Sequence, residues 1–167
     1  IGQAANALSQ MVRQEIEINI PDVRIYSVSE MVEELGGGEV VLCGVSQPMQ
    51  GAFDSKALLI FPEANSLDVV KLLLGDSHPY ETLIELHQDS LLEIGNILLN
   101  ACIASVSDFL GMRFKVGLPE FHTSPPLPLL YLVEDHEIDY ILNVRIDMKM
   151  VESDISGVMG FILGPES

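Results

Sequence analysis

The sequence predicts an α+β domain in which two repeats, related by a pseudo-twofold axis, pack helices on a largely antiparallel sheet. Three observations predict it. Landmarks recur at one offset: Gly2 and Asn100 stand 98 positions apart, and so do Pro21 and Pro119. In each half a stretch with helical character runs into a short alternating segment before one of those prolines. The halves also close alike, Leu58-Leu59-Ile60-Phe61-Pro62-Glu63 matching Phe161-Ile162-Leu163-Gly164-Pro165-Glu166 at an offset of 103. The five extra residues are assigned to a loop around Ser124-Pro125-Pro126-Leu127-Pro128. A helix, a strand, a connecting region and a strand pair, used twice, make a layered helix-on-sheet domain. We expect one domain over residues 1–167, with internal repeats of about 1–66 and 82–167.

Taken in order, Gly2 to Met11 is small and apolar with helical character, and Ile16-Glu17-Ile18-Asn19-Ile20 alternates as a strand does before Pro21. Val28 to Leu35 predicts a short helix closed by Gly36-Gly37-Gly38. Val40 to Gln47 and Gly51 to Phe61 predict a hairpin. Leu67 to Leu74 predicts an amphipathic helix with Gly75-Asp-Ser-His-Pro79 as its exit. A long helix carries Asp89 through Leu110 and stops at Gly111. Met112 to Val116 alternates before Pro119, and Tyr140 to Val151 with Ile155 to Leu163 predicts the second strand pair.

Composition narrows the function. Hydrophobic residues make up 48% of the 167 and aromatics only 6%, so the core is aliphatic. Twenty-five acids against eight bases give a net charge of −17, which argues against a sequence-independent grip on nucleic acid or on an anionic membrane. No apolar run is read as approaching the roughly 18–20 residues of a membrane span, and no basic, cleavable leader is expected from the N-terminal residues. A cytoplasmic protein without membrane insertion is expected. Cys43 and Cys102 lie among apolar residues, far apart and without metal-ligand spacing, and are expected as free buried thiols. From Leu72 to Met112 there is no Lys or Arg, while Asp76, Glu81, Glu85, Asp89, Glu93 and Asp108 all fall there. That run is either a solvated face or a negative potential offered to a partner carrying lysine or a metal ion.

The chemistry concentrates on Asp89-Ser-Leu-Leu-Glu93-Ile-Gly-Asn96, followed after 22 residues by Pro119. Spacings of four and three put Asp89, Glu93 and Asn96 in one stripe on a helix, and Asn100 extends it. Nearly every other position is apolar, so the stripe is either a buried network or an exposed working face. A carboxamide is well suited to holding a water, since it offers an acceptor and two donors and needs no deprotonation. Near an anionic phosphoryl group its neutrality matters. Gly95, costly in mid-helix by about 1 kcal/mol, leaves room either for a partner or for a second helix packed closely. Other candidates are weaker. Gly36-Gly37-Gly38 follows a helix and is not succeeded by Lys-Ser/Thr, so it is no phosphate cradle. His136 lies in a polar tip that reads as a turn, Ser46 lacks a nucleophile elbow, His78, His87 and His122 are isolated, and no metal ligand set is found.

The segment Asp89-x3-Glu93-x2-Asn96-x22-Pro119, with Glu93-Ile-Gly-Asn96-Ile inside it, resembles the signature of the CheC, CheX and FliY family of bacterial chemotaxis phosphatases. Gly2-x-Ala4-Ala5-x-Ala7-Leu8-Ser9 and Pro21 resemble the family's first half, so the likeness spans nearly the whole chain. The resemblance implies a CheC-like fold and hydrolysis of the aspartyl phosphate on a CheY-type response regulator. In that reading Asn96 orients the attacking water and Glu93 pairs with a lysine of the regulator. Asp89 and Asn100 dock the partner or orient the helix, and Gly95 and Pro119 are structural. The chain would need no cofactor of its own, the Mg²⁺ coming with the phosphorylated receiver. Further implied partners are a CheD-like deamidase or a second copy of the chain. The alternative function is a non-catalytic module of the same fold, a flagellar-switch component or a deamidase regulator. CheC-type members of the family usually carry the Glu-x-x-Asn pair twice. By the repeat offset the first Asn falls four residues before Gly2, so the first site either precedes Ile1 or is absent from the protein; the start within a helix favours a domain of a longer protein, for instance one following a receiver.

Overall fold

The computed structural model describes residues 6, 10, 17–19, 22–52, 54–74, 79–133, 140–149 and 154–163. Asn6 and Gln10 are helical and exposed. The rest of the expected Gly2–Met11 helix, the Gly75–His78 exit, the His136 tip and the Gly164-Pro165-Glu166 landmark lie outside the described residues. Two hairpins form the centre of an eight-stranded sheet: β3 (Leu42–Gly51) with β4 (Ser55–Pro62), and β7 (Tyr140–Lys149) with β8 (Asp154–Leu163). They join through β4 and β8. On the outer edge of β3 lie β5 (Phe114–Val116) and β6 (Glu120–Ser124). On the outer edge of β7 lie β1 (Glu17–Asn19) and β2 (Val23–Tyr26). The strand order is the same from either end and all these pairings are antiparallel, the pseudo-twofold arrangement that the recurring landmarks predict.

Helices cover both faces of the sheet. α2 (Glu63–Leu74), α3 (Tyr80–Glu85) and α4 (His87–Leu110) pack on one face through Val69, Val70, Leu83, Leu91, Ile94 and Leu98. α1 (Val28–Glu34) and α5 (Pro126–Val133) pack on the other through Met31, Leu129 and Leu130. This is why Ala57-Leu58-Leu59-Ile60-Phe61 on β4 is apolar without alternation. Ala57, Leu59 and Phe61 belong to the first core and Leu58 and Ile60 to the second.

The glycines after α1 are a helix stop, as expected. Gly36 N–H donates to Glu33 O and Gly37 N–H to Val32 O, with φ of 101° and 78°, a left-handed termination that favours glycine. At the other end Ser27 and Glu30 form a reciprocal capping box.

Three expectations are corrected. The Ser124–Pro128 stretch is not a loop: Pro126 and Pro128 fall in the first turn of α5, where backbone N–H groups have no intrahelical acceptor and proline starts a helix. The first hairpin does not turn at Pro48, since β3 continues to Gly51 and the turn comes after it. Pro48 is tolerated because β3 leaves β6 after Ser46 and meets β5 only at Met49. The Pro48 carbonyl accepts from Gly117 N–H at 2.9 Å, and within a strand a residue's N–H and C=O point to the same edge. The missing donor therefore faces that gap. Lastly, His87–Asp108 in α4 is long and apolar enough to cross a membrane by length and composition alone. Its polar stripe hid it from a search for unbroken apolar runs. In this fold its apolar side is core, with Leu91, Ile94, Leu98, Leu99 and Ile103 each no more than 2% exposed.

Candidate functional site

The long helix α4 is held against the sheet at three places. At its start His87 Nε2 lies 2.7 Å from Ser66 Oγ of α2, and the imidazole meets Phe121 of β6 edge-on at 6.0 Å. At its end Gly111, with φ of 64°, closes it through Gly111 N–H to Asp108 O and Met112 N–H to Ser107 O. At its middle Gly95 presses on β3: a Cβ there would come within 2.8 Å of both Cβ and Cγ1 of Val45. Gly95 does serve close packing within the chain, but against a strand and not against the second helix expected from the sequence. Gly95→Ala should therefore displace α4 from β3, a strain of about 1–3 kcal/mol set against about 1 kcal/mol of helix propensity. Thermal denaturation should show a lower Tm than wild type, and an unchanged or higher Tm would contradict that packing.

The close approach brings α4's polar window onto a single polar residue of β3. Gln47 is 1% exposed among apolar neighbours. Its Nε2 donates to Asn96 Oδ1 at 2.9 Å and to the carbonyl of Gly117 at 3.1 Å. The Gly117 carbonyl can only accept, so the Gln47 amide has to turn Nε2 this way, and the atom of Asn96 that meets Nε2 has to be Oδ1. Asn100 Nδ2 donates to the same Oδ1 at 3.0 Å. Both lone-pair directions of Oδ1 are thereby used, and Asn96 keeps Nδ2, two N–H donors, without a partner among the described residues. Gly117 reaches Gln47 through the β3 gap, where a Cβ on it would strike Pro48 Cγ at 2.4 Å. Pro119, half-buried two residues on, leads that loop into β6.

The structure thus joins Asn96, Asn100, Gly95 and the Pro119 loop around Gln47. It keeps the two acids apart from them. Asp89 and Glu93 are exposed and have no hydrogen-bond or ion-pair partner among the described residues. Asp89 sits in the first turn of α4, favourable to the helix dipole by about 0.3–1 kcal/mol. Glu81 and Glu85 on α3 are exposed too, beside Tyr80 (62% exposed) and Ile84 (51%), so charge and apolar surface are mixed at this end. Sequence reasoning missed Gln47. The available signal was an amide followed by proline inside an otherwise apolar strand, which reads first as a strand end.

Among the described residues no group of three or more His, Cys, Asp and Glu is placed to hold a metal ion. Burial raises the pKa of both thiols, that of Cys102 to about 11, so neither is a nucleophile at neutral pH. Ser46 pairs with His122 Nε2 at 2.9 Å on the face of β3 away from Gln47. Burial lowers the pKa of His87 and His122. An imidazole kept neutral in the fold makes the unfolded chain the better proton binder. The stability from this source is complete above about pH 6.5 and is lost as pH falls from there through the folded-state pKa. Tm should drop between pH 7.5 and 5.5, and His87→Gln with His122→Gln should flatten that slope; an unaltered slope in the double variant would refute the assignment.

No family model matches the chain. It is 26% identical over 122 residues to the CheY-P phosphatase CheC of Bacillus subtilis (strain 168), a match covering 71% of this chain and 58% of that protein. The chain therefore spans little more than half the length of this curated relative. Among solved structures, Thermotoga maritima FliY superposes with a TM-score of 0.74 at 18% identity, covering 95% of this chain and 82% of that one. CheX in the CheX-CheY-BeF3-Mg²⁺ complex from Borrelia burgdorferi gives 0.56 at 16% identity, covering 97% and 94%. A FliM middle domain from Vibrio alginolyticus gives 0.56 at 14% identity, covering 99% and 90%.

Proposed function

We propose that the chain is a member of the CheC, CheX and FliY family and a phosphatase acting on the aspartyl phosphate of a CheY-type response regulator. The observation that carries the reading is the state of Asn96. A neutral carboxamide at the half-buried centre of an exposed helix face is locked by two donors on Oδ1 and keeps Nδ2 without a partner among the described residues. A group of that kind can donate to a phosphoryl oxygen or hold the attacking water without bringing negative charge to an anion. Asn100, whose Nδ2 is used on Asn96, keeps an Oδ1 acceptor for a proton of that water. Glu93, one turn before Asn96, pairs with a lysine of the receiver, and Asp89 with the acidic α3 end completes the docking face. The Mg²⁺ arrives with the receiver, and the protein acts in the cytoplasm. The 167 residues form one CheC-like domain with repeats of about 1–66 and 82–167.

The test is the decay of a phosphorylated CheY-type receiver in Mg²⁺, with and without the chain. Acceleration is expected, at catalytic ratios of chain to receiver. A second reading, a binding module of the same fold, draws on the likeness to a FliM middle domain. It predicts a complex with the receiver whose phosphate decays at its own rate.

A further inference from the structure

Gln47 lies on β3, outside the motif on α4, and enters the reading above only as one of the two donors on Asn96 Oδ1. Its surroundings are unusual for a buried amide. Nε2 serves two acceptors, Asn96 Oδ1 and Gly117 O, while Oε1 is buried with no hydrogen-bond partner among the described residues. An orphaned buried acceptor destabilises a fold, and of the two such amide oxygens among the described residues, Gln47 Oε1 and Asn143 Oδ1, only that of Gln47 belongs to a side chain bonded to the α4 stripe. Here one end is left unsatisfied while the other fixes the orientation of the one half-buried amide on α4. Polar groups held at such a cost to stability are typical of functional sites.

We propose that Gln47 is a positioning residue for Asn96: it reads the direction of the Gly117 carbonyl and transmits it to the Asn96 carboxamide, so that Nδ2 faces the partner. The Gly117-Leu118-Pro119 loop and α4 are thereby coupled through one side chain. Pro48 makes the coupling possible, because on its outer edge β3 pairs with neither β5 nor β6 at Gln47 and Pro48, while β4 pairs with both on the inner edge, and the loop can reach the amide through that outer gap. The expected effect on turnover rests on the phosphatase reading; the hold on Asn96 does not.

The isosteric Gln47→Met variant separates the two. It removes the orphaned acceptor, and of the two acceptors that lose Nε2, Asn96 Oδ1 keeps Asn100 and the carbonyl of exposed Gly117 turns to water, so Tm should stay close to that of wild type. With the receiver assay, kcat should fall about ten- to a hundredfold, the scale on which outer hydrogen bonds that orient reactive groups act, with KM within about twofold. In nitrogen-15 spectra of the chain alone, the Asn96 side-chain amide signals should move. A measurement on wild type guards against a variant that fails to fold: the Gln47 side-chain amide protons should exchange with solvent far more slowly than those of Asn96. Should wild type not accelerate receiver decay, the phosphatase reading falls, and the spectra and exchange still decide the hold on Asn96. Unmoved Asn96 signals in Gln47→Met, or equally fast exchange of the two amides in wild type, would overturn the proposal. A kcat loss matched by losses in KM and Tm would reduce Gln47 to a packing residue and overturn it as well.

Discussion

Asn96→Ala should lower turnover of a phosphorylated receiver by about 10² or more, the loss seen when one preorganised polar group leaves a reacting centre. At about 1.36 kcal/mol per factor of ten, that is roughly 2.7 kcal/mol of transition-state stabilisation. The fold should tolerate the change, because Gln47 Nε2 keeps the Gly117 carbonyl and Asn100, being exposed, turns to water. Affinity for the receiver should change little, since Asn96 is half-buried and contributes little surface to docking. Asn96→Asp is the sharper control. It preserves shape and accepts the same two hydrogen bonds, but it places a carboxylate beside an anionic phosphoryl group and removes the Nδ2 N–H donors. It should be no more active than Asn96→Ala. Single-turnover decay at saturating chain concentration measures both, and activity in Asn96→Asp near wild type would remove the neutral-donor argument.

How far this site was legible in the sequence follows from what helical spacing can and cannot encode. Asp89, Glu93, Asn96 and Asn100 share a face by periodicity alone, and α4 does place them there. The two hairpins and the twofold order of the sheet were legible because the landmarks Gly2/Asn100 and Pro21/Pro119 recur at one offset. Gln47 was not legible, because its role depends on α4 crossing β3 at Gly95 and on a loop 70 residues away reaching through a gap in strand pairing. The function of Gly95 was ambiguous for the same reason: a helical glycine signals closeness without naming the neighbour, which is Val45. β2, β6, α3 and α5 were passed over where the local signal was short or proline-rich. Proline within a first helical turn looks the same in sequence as proline in a loop.

Glu93 should separate from Asn96 in kinetics although they stand only three positions apart on α4. Its carboxylate is exposed and unpaired among the described residues, and no Lys or Arg occurs from Leu72 to Met112 to neutralise it. Its charge is therefore available to a partner. Pairing with a lysine that becomes desolvated on docking is worth a few kcal/mol, as a charge-assisted contact. Glu93→Ala should then raise KM by about ten- to a hundredfold with kcat changed much less, because binding energy common to the ground and transition states appears in KM. Glu93→Gln, which keeps the shape and loses the charge, should behave like Glu93→Ala. Raising ionic strength should weaken wild-type binding and leave the two variants less affected, since screening acts on the charge that they lack. Were KM unchanged in both variants, with kcat falling as it does for Asn96→Ala, Glu93 would belong to the chemistry and the docking charge would have to come from Asp89 or the acids of α3.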